Sequence, residues 1–461
     1  MLAEVRSRLV PLADGATALV ACSGGPDSTA LAVLVRRARP DLALVLATVA
    51  HGLRGPRVDE GDASHVAALA AALDGEHDVL PVTVERSGAG LEADARRARH
   101  AALEVAAGRH GAAAILLGHH AEDQAETLLL RAARGTGLDG LGGMSPVAGR
   151  RLRPLLAVRR ADLHRAARSC APDLQDAARH DPMNDDPDVA RVRLRRELLP
   201  ALARIGPDPV GALVRLADLA RDEAAALEAN VDVLVASLPV VEVGEAVAVP
   251  SAGLRAASPA LARRVLRRLL GAADAATLER LLAAPDGWRA TLPGPLDASV
   301  ERGWHLLAPV GPAPDVAPHP LDPAPGTTVE VVHAPSSLRL RASRAHDADG
   351  PITELAVASA LPLPPGLRAD RRTVRLRGDG PLTVRTRRPG ERIRLPAGSR
   401  AVSDVMLDAG VPRVLRDRLP VVADAADRAV WVPGLAVDAG RHVRRAHDHA
   451  AGATGRGGRP Q

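Results

Sequence analysis

Four short stretches carry residues whose types and spacing suit phosphate and metal-ion chemistry. The first is Ser23-Gly24-Gly25-Pro26-Asp27-Ser28-Thr29, between the apolar runs Ala18-Leu19-Val20 and Ala30-Leu31-Ala32-Val33. Paired glycines let a backbone turn and approach a ligand closely, and the N–H groups at a helix start attract anions. Ser23, Ser28 and Thr29 add hydroxyl donors, and Asp27 can either cap the helix or hold Mg²⁺. The second stretch, His51-Gly52-Leu53-Arg54, offers an arginine for phosphate or departing pyrophosphate, although a lone loop arginine is as readily just solvated. In the third, Leu91-Glu92-Ala93-Asp94-Ala95-Arg96-Arg97-Ala98-Arg99-His100, helical spacing puts Glu92, Arg96 and Arg99 on one face with Leu103. Such a face is commonly a solvated helix staple; beside a phosphate loop it presents one carboxylate and two guanidiniums. The fourth is Gly118-His119-His120-Ala121-Glu122-Asp123-Gln124-Ala125-Glu126-Thr127, which places Asp123 and Glu126 in the first turns of a helix. His119, His120 and Asp123 could ligate a metal, but no second His/Asp cluster of suitable spacing supports a zinc hydrolase. A Mg²⁺ held by Asp27 and Asp123 together with nucleotide phosphates suits hard-cation chemistry better.

These stretches need a frame. Residues 18–20, 42–49, 78–84 and 112–118 read as buried strands, separated by helical patterns over 26–37, 59–73 and 91–107. Strands alternating with helices predict an α/β fold with a doubly wound parallel sheet, whose ligands sit beyond the carboxyl ends of the strands. The four stretches begin at, or close to, such ends. Downstream come a basic, Gly-rich run through Arg131, Arg134 and Gly140-Leu141-Gly142-Gly143, then the dense arginines Arg191, Arg193, Arg195 and Arg196. Those arginines are either a solvated face or a phosphate-contacting surface.

The 461 residues are too many for one ordinary domain. The chain has no Lys, Phe or Tyr and only 3 Trp, so its cores must be built from Leu, Val and Ala. Its basic charge is entirely arginine, with a net +5, so any nucleic-acid surface must come from local clusters. Cys22 and Cys170 form no CxxC pair and no disulfide framework. With no signal-peptide pattern and no apolar run of roughly 18 residues, a soluble cytoplasmic protein without membrane partners is expected.

The loop SGGPDS resembles the PP-loop of the N-type ATP pyrophosphatases, which split ATP between its α and β phosphates. Taken together, SGGPDST, HGLR, EADARRARH, GHHAEDQAETLLLRAARGTGLDGLGGM, RPLL and the Asp181/Asn184/Arg191/Arg195 segment resemble the tRNA(Ile)-lysidine synthetase family, most strongly over 15–200. The chain departs from the family pattern at His100, where tyrosine is usual, and at Val192, where asparagine is usual. Met183 replaces a usual Ser or Thr, and Ser403 stands at one position where the family carries lysine. The resemblance implies a PP-loop catalytic domain over 1–203 and a helical tRNA-binding domain over 204–310, with helices at 210–236 and 258–284. A linker and the start of the C-terminal region would follow over 311–375, a small β-rich tRNA-binding domain over 376–440, and a disordered tail over 441–461. It implies ATP and Mg²⁺ as cofactors, with free L-lysine and an isoleucine tRNA with a CAU anticodon as substrates; a homodimer is left open. Lysine would be joined to the wobble cytidine through an adenylated intermediate. Ser23, Gly24, Gly25, Pro26, Asp27, Ser28, His51, Arg96, Arg99 and His119 would bind the nucleotide. Asp27, Arg54, Glu92, Asp123 and Glu126 would serve the chemistry. Arg131, Arg134, Arg191, Arg195, Arg388, Arg392, Arg413 and Arg416 would contact RNA. Two alternatives stay open on the residues alone: another PP-loop amidating or thiolating enzyme, disfavoured by the missing cysteine pair and glutaminase segment, and a nucleotide-gated RNA-binding protein without catalysis.

Overall fold

The computed structural model describes residues 1–50, 56–88, 90–179, 190–243, 245–271, 273–311, 318–324, 327–333, 338–357 and 372–443. The chain forms two compact units, Met1–Ala226 and Leu227–Gln461.

The first unit is α/β. Its elements run α1 (Leu2–Arg8), β1 (Thr17–Ala21), α2 (Pro26–Ala38), β2 (Ala43–Ala50), α3 (Pro56–Ala72), β3 (Glu76–Pro81), α4 (Leu91–Arg109) and β4 (Ala114–Leu116). There follow α5 (Ala121–Ala133), α6 (Leu138–Leu141), β5 (Val147–Ala148), β6 (Arg151–Leu152), α7 (Arg160–Cys170) and α8 (Pro172–Asp176). After the undescribed residues 180–189 come α9 (Ala190–Arg193), one π-helical turn (Leu194–Leu198) and α10 (Leu199–Ala203), and α11 (Pro209–Ser237) begins.

The sheet order is β3-β2-β1-β4-β6-β5, parallel except for the edge pair β5–β6. Alternate side chains of β1 serve opposite layers, as a strand period of two requires. Ala18 and Val20 pack with Leu31, Leu34, Val66 and Leu163 from α2, α3 and α7, whereas Leu19 packs with Leu103, Ala106 and Ala107 of α4. Helices on both faces make the predicted doubly wound sheet, and burial on both sides explains why the central strands β1, β2 and β4 read as apolar runs. The expected strand over 112–118 is regular only over Ala114–Leu116, and the expected strand 78–84 lies at Glu76–Pro81.

The second unit mixes helices and antiparallel sheets. β7 (Val241–Val243), β8 (Ala246–Pro250), β9 (Arg289–Leu292), β10 (Leu296–Glu301) and β11 (Trp304–Pro309) form one sheet, interrupted in sequence by α12 (Ser251–Ala256), α13 (Pro259–Leu270) and α14 (Ala275–Ala283). One face of this sheet carries Leu307, Val249 and Ala298 against Leu254, Val265, Leu266, Leu278 and Leu281 of these helices. The single helix expected over 258–284 is two. Gly271 takes φ +72°, a left-handed conformation that suits glycine, and Asp274 restarts the helix by accepting the Thr277 N–H at 2.7 Å.

Within 311–375, expected to hold a linker and the start of the C-terminal region, the described residues include the strands β12 (His319–Pro320), β13 (Thr328–His333), β14 (Leu338–Asp347) and β15 (Gly350–Val357), with β16 (Thr373–Arg377) following. The proline-rich flanks draw attention away from the apolar–arginine alternation within 338–345. The C-terminal part holds β17 (Leu382–Thr386), β18 (Arg392–Leu395), β19 (Gly398–Ala401), α15 (Val402–Asp408), α16 (Arg413–Arg416), β20 (Pro420–Asp424), β21 (Ala429–Val432) and β22 (Ala436–Val437). Its core gathers Val384, Met406, Val421, Val430 and the fully buried Trp431. Among the described residues, no helix is long and apolar enough to cross a membrane.

Candidate active site

The phosphate loop joins β1 to α2. Gly24 turns the chain at φ +77°, and a Cβ there would lie 3.1 Å from the His65 ring and 3.5 Å from Val66, so glycine is required for both conformation and space. Gly25 is the N-cap in extended conformation and Pro26 takes the first helical position, where its missing N–H costs nothing. Ser28 is turned back into the loop: its Oγ donates to the Gly25 carbonyl at 3.0 Å and accepts the Ser23 N–H at 3.3 Å. This hydroxyl therefore shapes the loop, and Thr29 is fully buried, so exposed Ser23 is the best placed of the three expected hydroxyl donors. Cys22 is buried beside the loop, and burial pushes its thiol up, away from the nucleophilic thiolate.

Asp27 does not cap its helix. Its Oδ1 lies 2.7 Å from His164 Nε2 and 3.2 Å from Arg160 Nε, and its Oδ2 lies 3.7 Å from His120 Nε2. Arg160 and His164 are four residues apart on α7 and so share one face, aimed at the loop. Burial alone would raise the Asp27 pKa, but the nearby charge of His120 and the hydrogen bonds to Arg160 and His164 hold it well below the usual carboxylate range.

His120 is the hub. Besides Asp27, its Nε2 lies 3.5 Å from Asp123 Oδ2 and its Nδ1 lies 3.1 Å from Glu122 Oε2. Burial opposes its charge, yet the carboxylates of Asp27, Glu122 and Asp123 around the ring push it up to about 10, so it is an imidazolium at neutral pH. Asp123 also accepts the His120 N–H at 3.0 Å, which fixes the first turn of α5. Glu122 accepts from Arg159 Nε and from the Arg160 N–H, both at 2.9 Å. Asp27 and Asp123 thus flank one imidazole nitrogen, and the Asp27 side chain keeps 32% exposure. Among the described residues no three His, Cys, Asp or Glu side chains are arranged to hold a metal ion by themselves. Asp27 and Asp123 offer two hard oxygen donors that would suit a Mg²⁺ ion shared with a nucleotide.

The other side of the His119–His120 pair is basic. His119 is buried and held well below its ordinary pKa, by burial first and then by Arg153, Arg96, Arg99 and Arg191. His100 is pushed down to about 4 by burial and by Arg99, Arg96, Arg151 and Arg153. Arg99 Nε, Arg153 Nε, His100 Nδ1 and His119 Nδ1 are buried and lack a hydrogen-bond partner among the described residues. Two buried arginine Nε–H donors without an acceptor, beside two neutral imidazoles, suit a site that takes an anion. Arg96 and Arg99 of α4 lie among these groups, and Leu103 is fully buried. The Glu92 side chain, His51, Arg54, Asp181 and Asn184 lie outside the described residues.

Glu126 is fully buried on α5, and burial raises its pKa. Arg195, on the π-helical turn, donates to its Oε1 from Nε and from an Nη, both at 2.8 Å, while Oε2 has no partner among the described residues. Arg195 thus holds a carboxylate, where an RNA contact was expected. Arg131 is likewise engaged inside the fold: it donates to the carbonyls of Gly140 and Gly143 at 3.1 and 2.7 Å and ties down the Gly-rich turn. Arg134, at the end of α5, is exposed, and Val192 is buried in α9. In the second unit, exposed Arg388 pairs with Asp427, and exposed Arg392 donates to Ser399. Arg416 sits with Arg302, Arg387 and exposed Arg413 in a basic cluster.

Arg160, His164, Glu122, Arg159 and Arg153 were not singled out as site residues in the sequence. Only the i, i+4 spacing of Arg160 and His164 signals a shared face, and nothing local says what that face meets.

A family model described as a PP-loop domain matches residues 3–202, and one described as a TilS substrate C-terminal domain matches 382–451. The tRNA(Ile)-lysidine synthase of Symbiobacterium thermophilum is 36% identical over 466 residues, which cover 93% of this chain and 91% of that protein. The synthase of Thermobifida fusca is 44% identical over 274 residues, 58% of this chain and 81% of that protein. That of Streptomyces coelicolor is 41% identical over 302 residues, 62% and 83% respectively. A phosphate loop in a doubly wound α/β unit, an imidazolium between its aspartate and the acids that start α5, and a relative that aligns along nearly the whole length agree: the chain is an ATP-using enzyme of the tRNA(Ile)-lysidine synthase family.

Proposed function

We propose that this enzyme activates the wobble cytidine of a CAU-anticodon isoleucine tRNA with ATP and then joins free L-lysine to it. The cytidine 2-carbonyl oxygen attacks the α-phosphorus and pyrophosphate leaves; an amine of lysine then attacks C2, and AMP leaves with the oxygen. The observation that carries this reading is the His119–His120 junction, which puts a phosphate loop on one side and a carboxylate-poor arginine cluster on the other. One side suits the β and γ phosphates, and the other the charge that develops on the α-phosphoryl group and the RNA backbone. Asp27 and Asp123 would hold Mg²⁺, which screens the phosphate charges when bound. Arg54 and Arg160 would steady departing pyrophosphate.

Glu126 supports the lysine step. A buried carboxylate oxygen without a donor is costly, and an ammonium group supplies the missing donors. Glu126 is enclosed, so the amine reaches Oε2 when Arg195, whose side chain is 36% exposed, moves aside. Glu126, with Glu92 or Asp123, would orient the amine and accept its proton. RNA would be held mainly by phosphate contacts from Arg134, Arg191, Arg388, Arg392, Arg413 and Arg416. The test is pyrophosphate release with ATP and the tRNA but no lysine. Release in a burst equal to the enzyme present supports an adenylated intermediate, and release that strictly requires lysine contradicts it.

A further inference from the structure

The phosphate loop is not held by its own strand and helix alone. The segment that follows α7 lies across it. Gln175, buried in α8, donates from Nε2 to the Pro26 carbonyl at 3.2 Å. Four residues on, the Arg179 N–H donates to the Gly24 carbonyl at 2.9 Å. The Arg179 side chain then crosses to α3, where its Nε meets Asp62 Oδ1 at 2.8 Å. Gly61 allows this crossing, because a Cβ there would come within 2.6 Å of the guanidinium.

From this arrangement we infer that Gln175 and Arg179 are positioning residues for ATP, acting through the direction of the phosphate-loop amides. The argument is geometric. In a trans peptide the C=O and the following N–H point in opposite directions. Holding the Gly24 carbonyl toward Arg179 therefore turns the Gly25 N–H away from the strap, and holding the Pro26 carbonyl toward Gln175 does the same for the Asp27 N–H. These are amides at a helix start, the groups that meet phosphate oxygens. Without the strap, Gly24 and Gly25, which carry no side chain to restrain them, would sample other orientations before each binding event. Arg179 also fastens the strap to α3 through Asp62, so the loop is clasped from two sides. The inference rests on the proposed use of this loop for ATP phosphates.

The test uses the full chain and equilibrium binding of ATP, alongside KM for ATP, KM for lysine and the unfolding temperature. Gln175→Leu keeps the bulk of the side chain and removes its donor. It is expected to weaken ATP binding about five- to tenfold, the factor expected for the removal of one buried hydrogen bond. KM for lysine and tRNA affinity should stay unchanged, and the unfolding temperature should move little. Arg179→Ala should weaken ATP binding by less, because its N–H remains, and Arg179→Lys should restore it. ATP affinity unchanged in both Gln175→Leu and Arg179→Ala overturns the inference, as does an affinity loss that merely tracks unfolding temperature across the set. Absence of tRNA-dependent chemistry in the wild type counts against the proposed function, while the ATP-binding series still decides this inference.

Discussion

Replacing Glu126 by Gln separates its chemistry from its packing. The side chain is fully enclosed and takes two hydrogen bonds from Arg195 on one oxygen. Two unit charges about 4 Å apart at an effective dielectric near 20 attract by about 4 kcal/mol, and screening at a one-third exposed arginine reduces this to about 2 kcal/mol. Glutamine keeps a carbonyl oxygen for Arg195, so Glu126→Gln should lose about 1 kcal/mol of stability, or roughly 2–4 °C in melting temperature for a unit of this size. Arg195→Ala strands the carboxylate and should lose about 2–3 kcal/mol, limited because the burial-raised Glu126 can take up a proton. Activity should behave differently. If Glu126 handles the amine, Glu126→Gln should lower kcat/KM for lysine at least about 100-fold, near 2.7 kcal/mol, with tRNA-dependent pyrophosphate release preserved. Thermal unfolding and steady-state kinetics on the same preparations decide it. A kinetic loss no larger than the stability loss, or one shared equally by pyrophosphate release, would refute the role and leave a structural ion pair.

Three further outcomes are expected. Asp27→Ala should abolish tRNA-dependent pyrophosphate release and leave Arg160, His164 and His120 facing one another without their shared carboxylate; a rate within about threefold of wild type, under roughly 1 kcal/mol, contradicts the loop's assignment. His100 binds its proton near pH 4 when folded and near 6.5 when unfolded, so the stability it contributes above pH 6.5 is lost as pH falls toward 4. Denaturant titrations should show the wild type losing about 1–2 kcal/mol more than His100→Asn between pH 6.5 and 5, and equal losses contradict this. Neutralising Arg413 and Arg392 should lower the slope of log tRNA affinity against log salt by roughly 0.7–0.9 for each phosphate no longer neutralised; an unchanged slope in folded variants, read by filter binding, removes these residues from the RNA surface.

The doubly wound sheet was legible because its central strands β1, β2 and β4 are largely buried and written as short apolar runs between helical periods. The phosphate loop was legible for a similar reason: its glycines and Asp27 act within seven consecutive residues. What stayed hidden was the partner of each charged group. Asp27 reads as a cap or a metal ligand, and its observed neighbours, Arg160 and His164, stand more than 130 residues away. Arg195 and Arg131 read as RNA contacts because clustered arginines look alike in sequence; only folding shows that one meets a buried carboxylate and the other two carbonyls. The strands between 319 and 357 were obscured by composition, since Ala, Arg and Pro carry weak strand preference. The break at Gly271 was legible in principle, from a glycine followed by an aspartate three residues later.

The most direct test of the account is lysine incorporation at the wobble position. Wild-type protein is incubated with ATP, radiolabelled lysine and two isoleucine tRNA transcripts that differ only in carrying C or U at the wobble base. The account predicts label in the CAU transcript alone, strictly dependent on ATP, with one AMP and one pyrophosphate formed per lysine attached. Equal labelling of both transcripts, or ATP consumption with no lysine attached to the CAU transcript, would contradict it.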